Sequence, residues 1–161
     1  MKQTDLSSAY GLIHLPAKVA LVVTEKPLGG YNLITIEWFM RTSIQPPMFA
    51  ISIGHTRFSH ECLQQNRYFN LVFPSVEMKE LCALAGSTTG REIDKMETGK
   101  VRYFPGKLHK MPVLEDAVAV FECEIVTQVR SGDHTIFVGE IKYCWANPEK
   151  SLLVYTREKE K

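Results

Sequence analysis

The chain has 161 residues and a mass of 18.3 kDa, the length of one domain, with 19 Lys and Arg set against 18 Asp and Glu. Its composition, 45% hydrophobic and 23% charged, is that of a globular protein able to bury roughly two thirds of its unfolded surface. A net charge of +1 with acids and bases interleaved excludes the concentrated basic face that nucleic acid or an anionic membrane requires.

No segment is long and apolar enough to span a membrane: the longest uncharged run, Thr42 to Gly54, has 13 residues and contains Pro46 and Pro47. The N-terminus lacks the charged start, apolar centre and cleavage site of a secretory signal, so a cytoplasmic location is expected. Cys62, Cys82, Cys123 and Cys144 stand outside metal-ligand and redox spacing and are expected to be reduced and mostly buried.

Strand signals dominate the chain. Lys18 to Glu25 is the first, ending at the turn cluster Lys26-Pro27-Leu28-Gly29-Gly30. Tyr31 to Arg41 reads as one strand, with Ile34, Ile36, Trp38 and Met40 on one face and Thr35, Glu37 and Phe39 on the other. After the Gln45-Pro46-Pro47 break, Pro47 to Gly54 is too apolar to have a wet face. The spacing of Phe58, Cys62 and Leu63 predicts a short helix capped by Ser59.

Tyr68 to Phe73 reads as a strand, and a second helix follows, capped by Ser75 and stopped at Gly86, then the loop Gly86-Ser87-Thr88-Thr89-Gly90. Arg91 to Glu97 is expected as a short charged helix and Gly99 to Pro112 as surface loop with one short strand. The strongest signal is a closing hairpin, Ala117 to Val129 with His134 to Ala146, joined by Arg130-Ser131-Gly132-Asp133. In its first arm Phe121, Cys123 and Ile125 oppose Glu122 and Glu124. The tail TREKEK is expected to be solvated. With no βαβ rhythm and no repeat, one domain over residues 1–161 is expected, mainly β, as an antiparallel barrel with short inserted helices.

Motif spacing removes several chemistries. His60-Glu61-Cys62-Leu63-Gln64 has Gln where a metalloprotease helix needs its second His, and no metal site is expected. Neither a nucleophile elbow nor a dinucleotide-binding glycine fingerprint is present. What remains is a set of polar residues at element boundaries: Asn32, Thr42, Ser43, Lys95 and His134, with Gly54-His55-Thr56-Arg57-Phe58-Ser59 at a helix start. A helix N-terminus with a hydroxyl and a guanidinium suits a monophosphate. The plainer alternatives are an ordinary cap at Ser59, a solvated Arg57 and Lys95, a core Trp38, and an Asn32 that only serves the Gly-Gly turn.

The order VALVVT, Asn32 six residues before Trp38, TSIQPPMFAISI, the Arg57–Ser59 helix start, YFNLVFP, Lys95 and SGDHTIFVGEI resembles the flavin reductase-like family of FMN-binding split barrels, which includes flavoredoxins and an archaeal ferric reductase. The resemblance runs from Val19 to Val154. It implies a Greek-key split barrel that forms a homodimer, with FMN at or near the subunit interface. By the same resemblance Asn32 and Trp38 contact the flavin, Arg57 and Ser59 its phosphate, and Lys95 and His134 are basic residues close to it. Thr42, Ser43, Gly54, His55 and Ser87 are carried as further members of the cofactor shell, together with Gly90.

The implied activity is an FMN-dependent oxidoreductase that passes electrons from NAD(P)H to a flavin, a ferric complex or a redox partner protein. The alternative is a flavoredoxin-like carrier with little direct NAD(P)H activity. His134 is the candidate for proton delivery or charge stabilisation, because a cation near the reduced pyrimidine edge raises the flavin's potential. The chain ends soon after Tyr155, so the flavin is expected to be more open than in longer relatives, with Tyr155 a candidate to cover it.

Overall fold

Residues 20–23 are apolar on both faces of the strand, and the fold uses both faces. In the computed structural model, which describes residues 1–156, this strand (β2, Ala20–Glu25) sends Leu21 and Val23 into one core and Ala20 and Val22 into another. A run without a wet side is stable only where both sides are covered.

Eleven strands and four α-helices make up the described chain. β1 (Ala17–Lys18) pairs with β11 (Val154–Tyr155), and β7 (Tyr103–Pro105) with β8 (Pro112–Leu114). The remaining seven form one antiparallel sheet: β3 (Tyr31–Ile36), β2, β6 (Tyr68–Phe73), β9 (Ala119–Ser131), β10 (His134–Ala146), β5 (Met48–Gly54) and β4 (Phe39–Ser43), in that spatial order. Its two edges, β3 and β4, are consecutive in the chain, with only Glu37 and Trp38 between them. The sheet therefore curls back on itself and is split at that point. One core contains Ile51, Phe69, Leu71 and Phe137; the other lies under α3 (Lys79–Ser87), β8 and β11.

Several expectations are corrected. The single strand over Tyr31 to Arg41 is two, because the chain passes from one sheet edge to the other at Glu37-Trp38, where a continuous ladder cannot follow it. Helix α2 (Phe58–Gln65) starts with Arg57 at its N-cap and has no side-chain cap; Ser59 is buried in its first turn and bonded elsewhere. The second helix opens as a 3-10 turn, Val76–Met78, and runs through Gly86 to Ser87. Of Arg91 to Glu97 only α4 (Lys95–Thr98) is helical, started by Asp94, whose carboxylate accepts from the Met96 and Glu97 N–H groups.

The hairpin turn is shorter than expected, with Gly132 and Asp133 alone outside the strands; Gly132 has φ +60°, a left-handed conformation that glycine adopts readily. Glu122 is fully buried and accepts from the Lys107 and Leu108 N–H groups and from Trp145 Nε1, because the 103–114 excursion folds over it. Helix α1 (Leu6–Ile13), capped by Asp5, has no counterpart in the sequence reading and is exposed along its whole length. Tyr155 pairs with Ala17 against the core under α3, so it covers that core. Within the tail Thr156 is exposed, and residues 157–161 lie outside the described residues. All four cysteines are free; Cys62, Cys82 and Cys123 are buried and Cys144 is exposed.

Candidate functional site

The split between β3 and β4 carries two adjoining cavities. The first, of 70 Å³, lies between the start of α2 and the loop after α3; the second, of 170 Å³, runs along Ile34 to Trp38 toward Gly54 and His134. Ile34 and Arg57 line both, so the two form one bent cleft.

Asn32 sits at the inner end of the first cavity. Its side chain is 1% exposed, Nδ2 donates to Ser59 Oγ at 2.8 Å, and Oδ1 has no partner among the described residues. Because Ser59 Oγ already accepts that bond, its own proton is free to be donated. Gly90 closes the wall beside it: a Cβ there would strike Asn32 Oδ1 and come within 2.9 Å of Phe58 Cδ1. The backbone approaches the amide where no side chain would fit.

Lys95 is 3% exposed, and its Nζ donates to Leu33 O at 2.8 Å and Ala85 O at 2.9 Å. The solvated-charge reading is thereby excluded. Burial, with the Arg57 guanidinium adding to it, pulls its pKa from 10.5 down to about 8. Asp94 sets this up: it starts α4 one residue earlier and pairs with Lys26 at 2.8 Å, and that bond holds its carboxyl below the usual range. The uncapped start of α2, Arg57, Ser59 and the third N–H of Lys95 make a donor-rich wall suited to a phosphate.

The second cavity has an aromatic wall. His134 opens β10 directly opposite Gly54, and its ring lies 4.7 Å from the Trp38 ring at a 39° tilt. His134 Nδ1 meets Asp133 Oδ1 at 2.7 Å, a bond that holds the Asp133 carboxyl below its usual range. A Cβ on Gly54 would approach His134 Nε2 to 3.4 Å, so the glycine leaves the imidazole room against the strand. Trp38 is not core: it is 57% exposed at the rim, between this cavity and an apolar groove containing Met40, Ala50 and Ile136.

Of the residues singled out from sequence, Asn32, Trp38, Gly54, Arg57, Ser59, Lys95, His134 and Gly90 converge on the cleft. His55 turns away, its Nε2 3.2 Å from Thr135 Oγ1 and its ring 5.0 Å from His60. Thr42 and Ser43 lie on the edge strand β4 outside both cavities, and exposed Ser87 donates back to Ala83 O. The sequence reading missed Thr88 and Thr89 in the first cavity and Glu37 and Ser52 in the second. The Ser-Thr-Thr tract between Gly86 and Gly90 was the available signal for two of them. No helix among the described residues is long and apolar enough to cross a membrane, and no cluster of three or more His, Cys, Asp or Glu among them could hold a metal ion.

Residues 12–161 match the flavin reductase like domain. An uncharacterized protein of Archaeoglobus fulgidus is 33% identical over 128 residues, 78% of this chain and 70% of that protein. An NADH-dependent flavin reductase of Pseudomonas fluorescens is 27% identical over 140 residues, 85% of this chain and 78% of that enzyme. The crystal structure of an FMN-binding protein from Thermus thermophilus with bound p-hydroxybenzaldehyde superposes with a TM-score of 0.82 at 30% identity, over 98% of this chain and 90% of that one. With the split antiparallel sheet and a family match across nearly the whole chain, the protein belongs to the flavin reductase like domain family.

Proposed function

We propose that the protein is an FMN-dependent oxidoreductase that takes reducing equivalents from NAD(P)H and delivers them to a flavin, a ferric complex or a partner protein. The observation that carries the reading is the single cleft joining an anion-binding end, with Arg57, Ser59, Lys95 and the start of α2, to an open end walled by Trp38 and His134. The donor set suits a phosphate monoester, and the unpartnered buried Asn32 Oδ1 suits a hydroxyl of a polyol chain next to it. Bound FMN would supply the hydride and electron chemistry; the chain's residues bind, orient and tune it. In this reading no side-chain nucleophile is needed, and His134 Nε2, which has no partner among the described residues, faces the cleft as proton donor or positive charge. Asp133 orients that imidazole through Nδ1.

His55, Thr42, Ser43 and Ser87 have no contact that supports a place in the cofactor shell. The named Pseudomonas relative, an NADH-dependent reductase, favours the reductase over the electron-carrier alternative. The reading includes a cytoplasmic homodimer: exposed Trp38, Met40 and Ile44 gather at the β4 edge beside the cleft, leaving apolar surface for a second copy to cover. The experiment is to record the visible spectrum of the purified protein, identify any flavin it releases, and add NADH or NADPH anaerobically. A yellow protein releasing about one FMN per chain and bleached within the mixing time supports the reading. A colourless protein that takes up no added FMN overturns it, and a flavoprotein bleached only by a reduced ferredoxin returns the carrier alternative.

A further inference from the structure

His55 and His60 both aim at one hydroxyl. His60 Nε2 lies 2.9 Å and His55 Nε2 3.2 Å from Thr135 Oγ1, and the two rings stand 5.0 Å apart. Thr135 is 7% exposed, and its hydroxyl has no other partner among the described residues. A hydroxyl has one proton, so the trio is fully bonded only when one neutral imidazole accepts that proton and the other donates its own N–H to the oxygen. A further proton turns both rings into donors at the same oxygen, leaves the hydroxyl proton without an acceptor and sets a cation against the neighbouring imidazole. Burial, with His55 adding to it, already holds His60 below the ordinary value of 6.5.

The trio brackets the anion-binding end of the cleft. Between the two histidines the Arg57 N–H donates to Gly54 O at 3.0 Å and the His60 N–H to Arg57 O at 2.9 Å, while Thr135 belongs to β10, the strand that His134 opens. The bonds to Thr135 therefore fasten the start of α2 to the hairpin. We propose that His55, Thr135 and His60 form a proton-sensitive clamp that seats Arg57 and Ser59 for the flavin phosphate, so that acidification weakens flavin binding, with the two histidines as positioning residues. The inference rests on the flavin reading above. The surrounding charges do not relieve a protonated clamp: Glu61 on α2 pairs with Arg91 at 3.0 Å, Asp133 meets His134 Nδ1 at 2.7 Å, and Arg57 on the same turn and Arg130, across from Thr135 on β9, are further cations. Of the strands packed against α2, β3 and β5 carry no charged residue, and β2 has only Glu25, at the far end of the helix where Asn66 Nδ2 donates to its carbonyl. Phe137, whose ring lies 5.7 Å from that of His60, is apolar and fully buried.

FMN titrations of the purified chain from pH 8 to 5, with dissociation constants read from the quenching of flavin fluorescence, test the clamp in wild type, His60→Gln and Thr135→Ser. Gln keeps a polar amide but takes up no proton, and Ser keeps the hydroxyl. The FMN phosphate itself titrates at about pH 6, in the same way for all three proteins, so the quantity to compare is the ratio of the dissociation constant at pH 5.5 to that at pH 7.5. That ratio is expected to be at least fivefold larger in wild type than in His60→Gln and to keep its wild-type value in Thr135→Ser. With riboflavin, which lacks the phosphate, wild type and His60→Gln should differ less than twofold. Equal FMN ratios in wild type and His60→Gln overturn the clamp, as does an undiminished difference with riboflavin, which would mark a general loosening of the fold. Should His60→Gln not fold, NMR titration of the wild-type imidazole C–H groups decides by linkage: if protonation weakens FMN binding, bound FMN must lower the pH at which His60 titrates. A His60 midpoint that FMN leaves unchanged or raises overturns the clamp. Wild type that binds no FMN at pH 7.5 overturns the flavin reading itself.

Discussion

Lys95 places a largely buried ammonium at the cavity wall, held by two backbone carbonyls. Its folded pKa, about 8, lies below its ordinary value of 10.5, so between these values the unfolded chain keeps a proton that the folded chain has lost. Stability should therefore rise with pH from about 8 to 10.5, by on the order of 3 kcal/mol for a shift of this size. Lys95→Met should remove that slope while leaving the Leu33 and Ala85 carbonyls unpaired, at a cost of roughly 1–3 kcal/mol at pH 7.5. Urea midpoints of both proteins at pH 7.5 and 10 decide it; parallel pH dependences would mean that Lys95 is not the titrating group. The residue type and its place near a helix start were legible in the sequence. Its burial was not, because that depends on α3 and β3, whose carbonyls reach it from 10 and 62 residues away.

The strands were the most legible elements, because short apolar runs ended by turn residues are too short for a buried helix, as Tyr68–Phe73 before Pro74 shows. Helix α1 escaped because it has no stripe facing a core: Leu6, Tyr10, Leu12 and Ile13 are all exposed. Within the long hairpin the register shifts between Val138 and Gly139, and this glycine faces Phe69 and Cys123 across neighbouring strands. An added Cβ would come within 2.6 Å of Phe69 Cε1 and 2.8 Å of Cys123 Cβ, both fully buried. Gly139→Ala should destabilise the fold by about 1–3 kcal/mol through overpacking, seen as a lower urea midpoint with an unchanged slope. A midpoint equal to wild type would show that the strands can spread without loss.

At the scale of the molecule, the cleft exists because the sheet's first and last strands are joined by two residues. That connection puts Trp38 at a rim where it meets His134, from the far hairpin, and places it beside the exposed Met40 on β4. Light scattering should give twice the 18.3 kDa chain mass. Met40→Glu, which sets a charge in the middle of the apolar edge, should shift the mass to a monomer and weaken FMN binding at least tenfold. A wild-type monomer would overturn the homodimer, and a Met40→Glu dimer with unchanged flavin affinity would place the interface elsewhere.

By itself the amino-acid sequence determined the antiparallel β character, most strand positions, the helix start at Arg57 and Ser59, and the ordered residues that carry the resemblance to flavin reductases. These are local signals: periodicity, turn chemistry and motif order are written within a few residues of one another. The tertiary structure alone decided that Tyr31 to Arg41 breaks at Glu37-Trp38, that Glu122 and Lys95 are buried, and that His55 turns away while Thr88 and Thr89 enter the cavity. Each of these depends on which distant segment covers the residue. Coverage is a property of the closed sheet and its loops, so a chain read in order shows it only after the ends of the sheet have met.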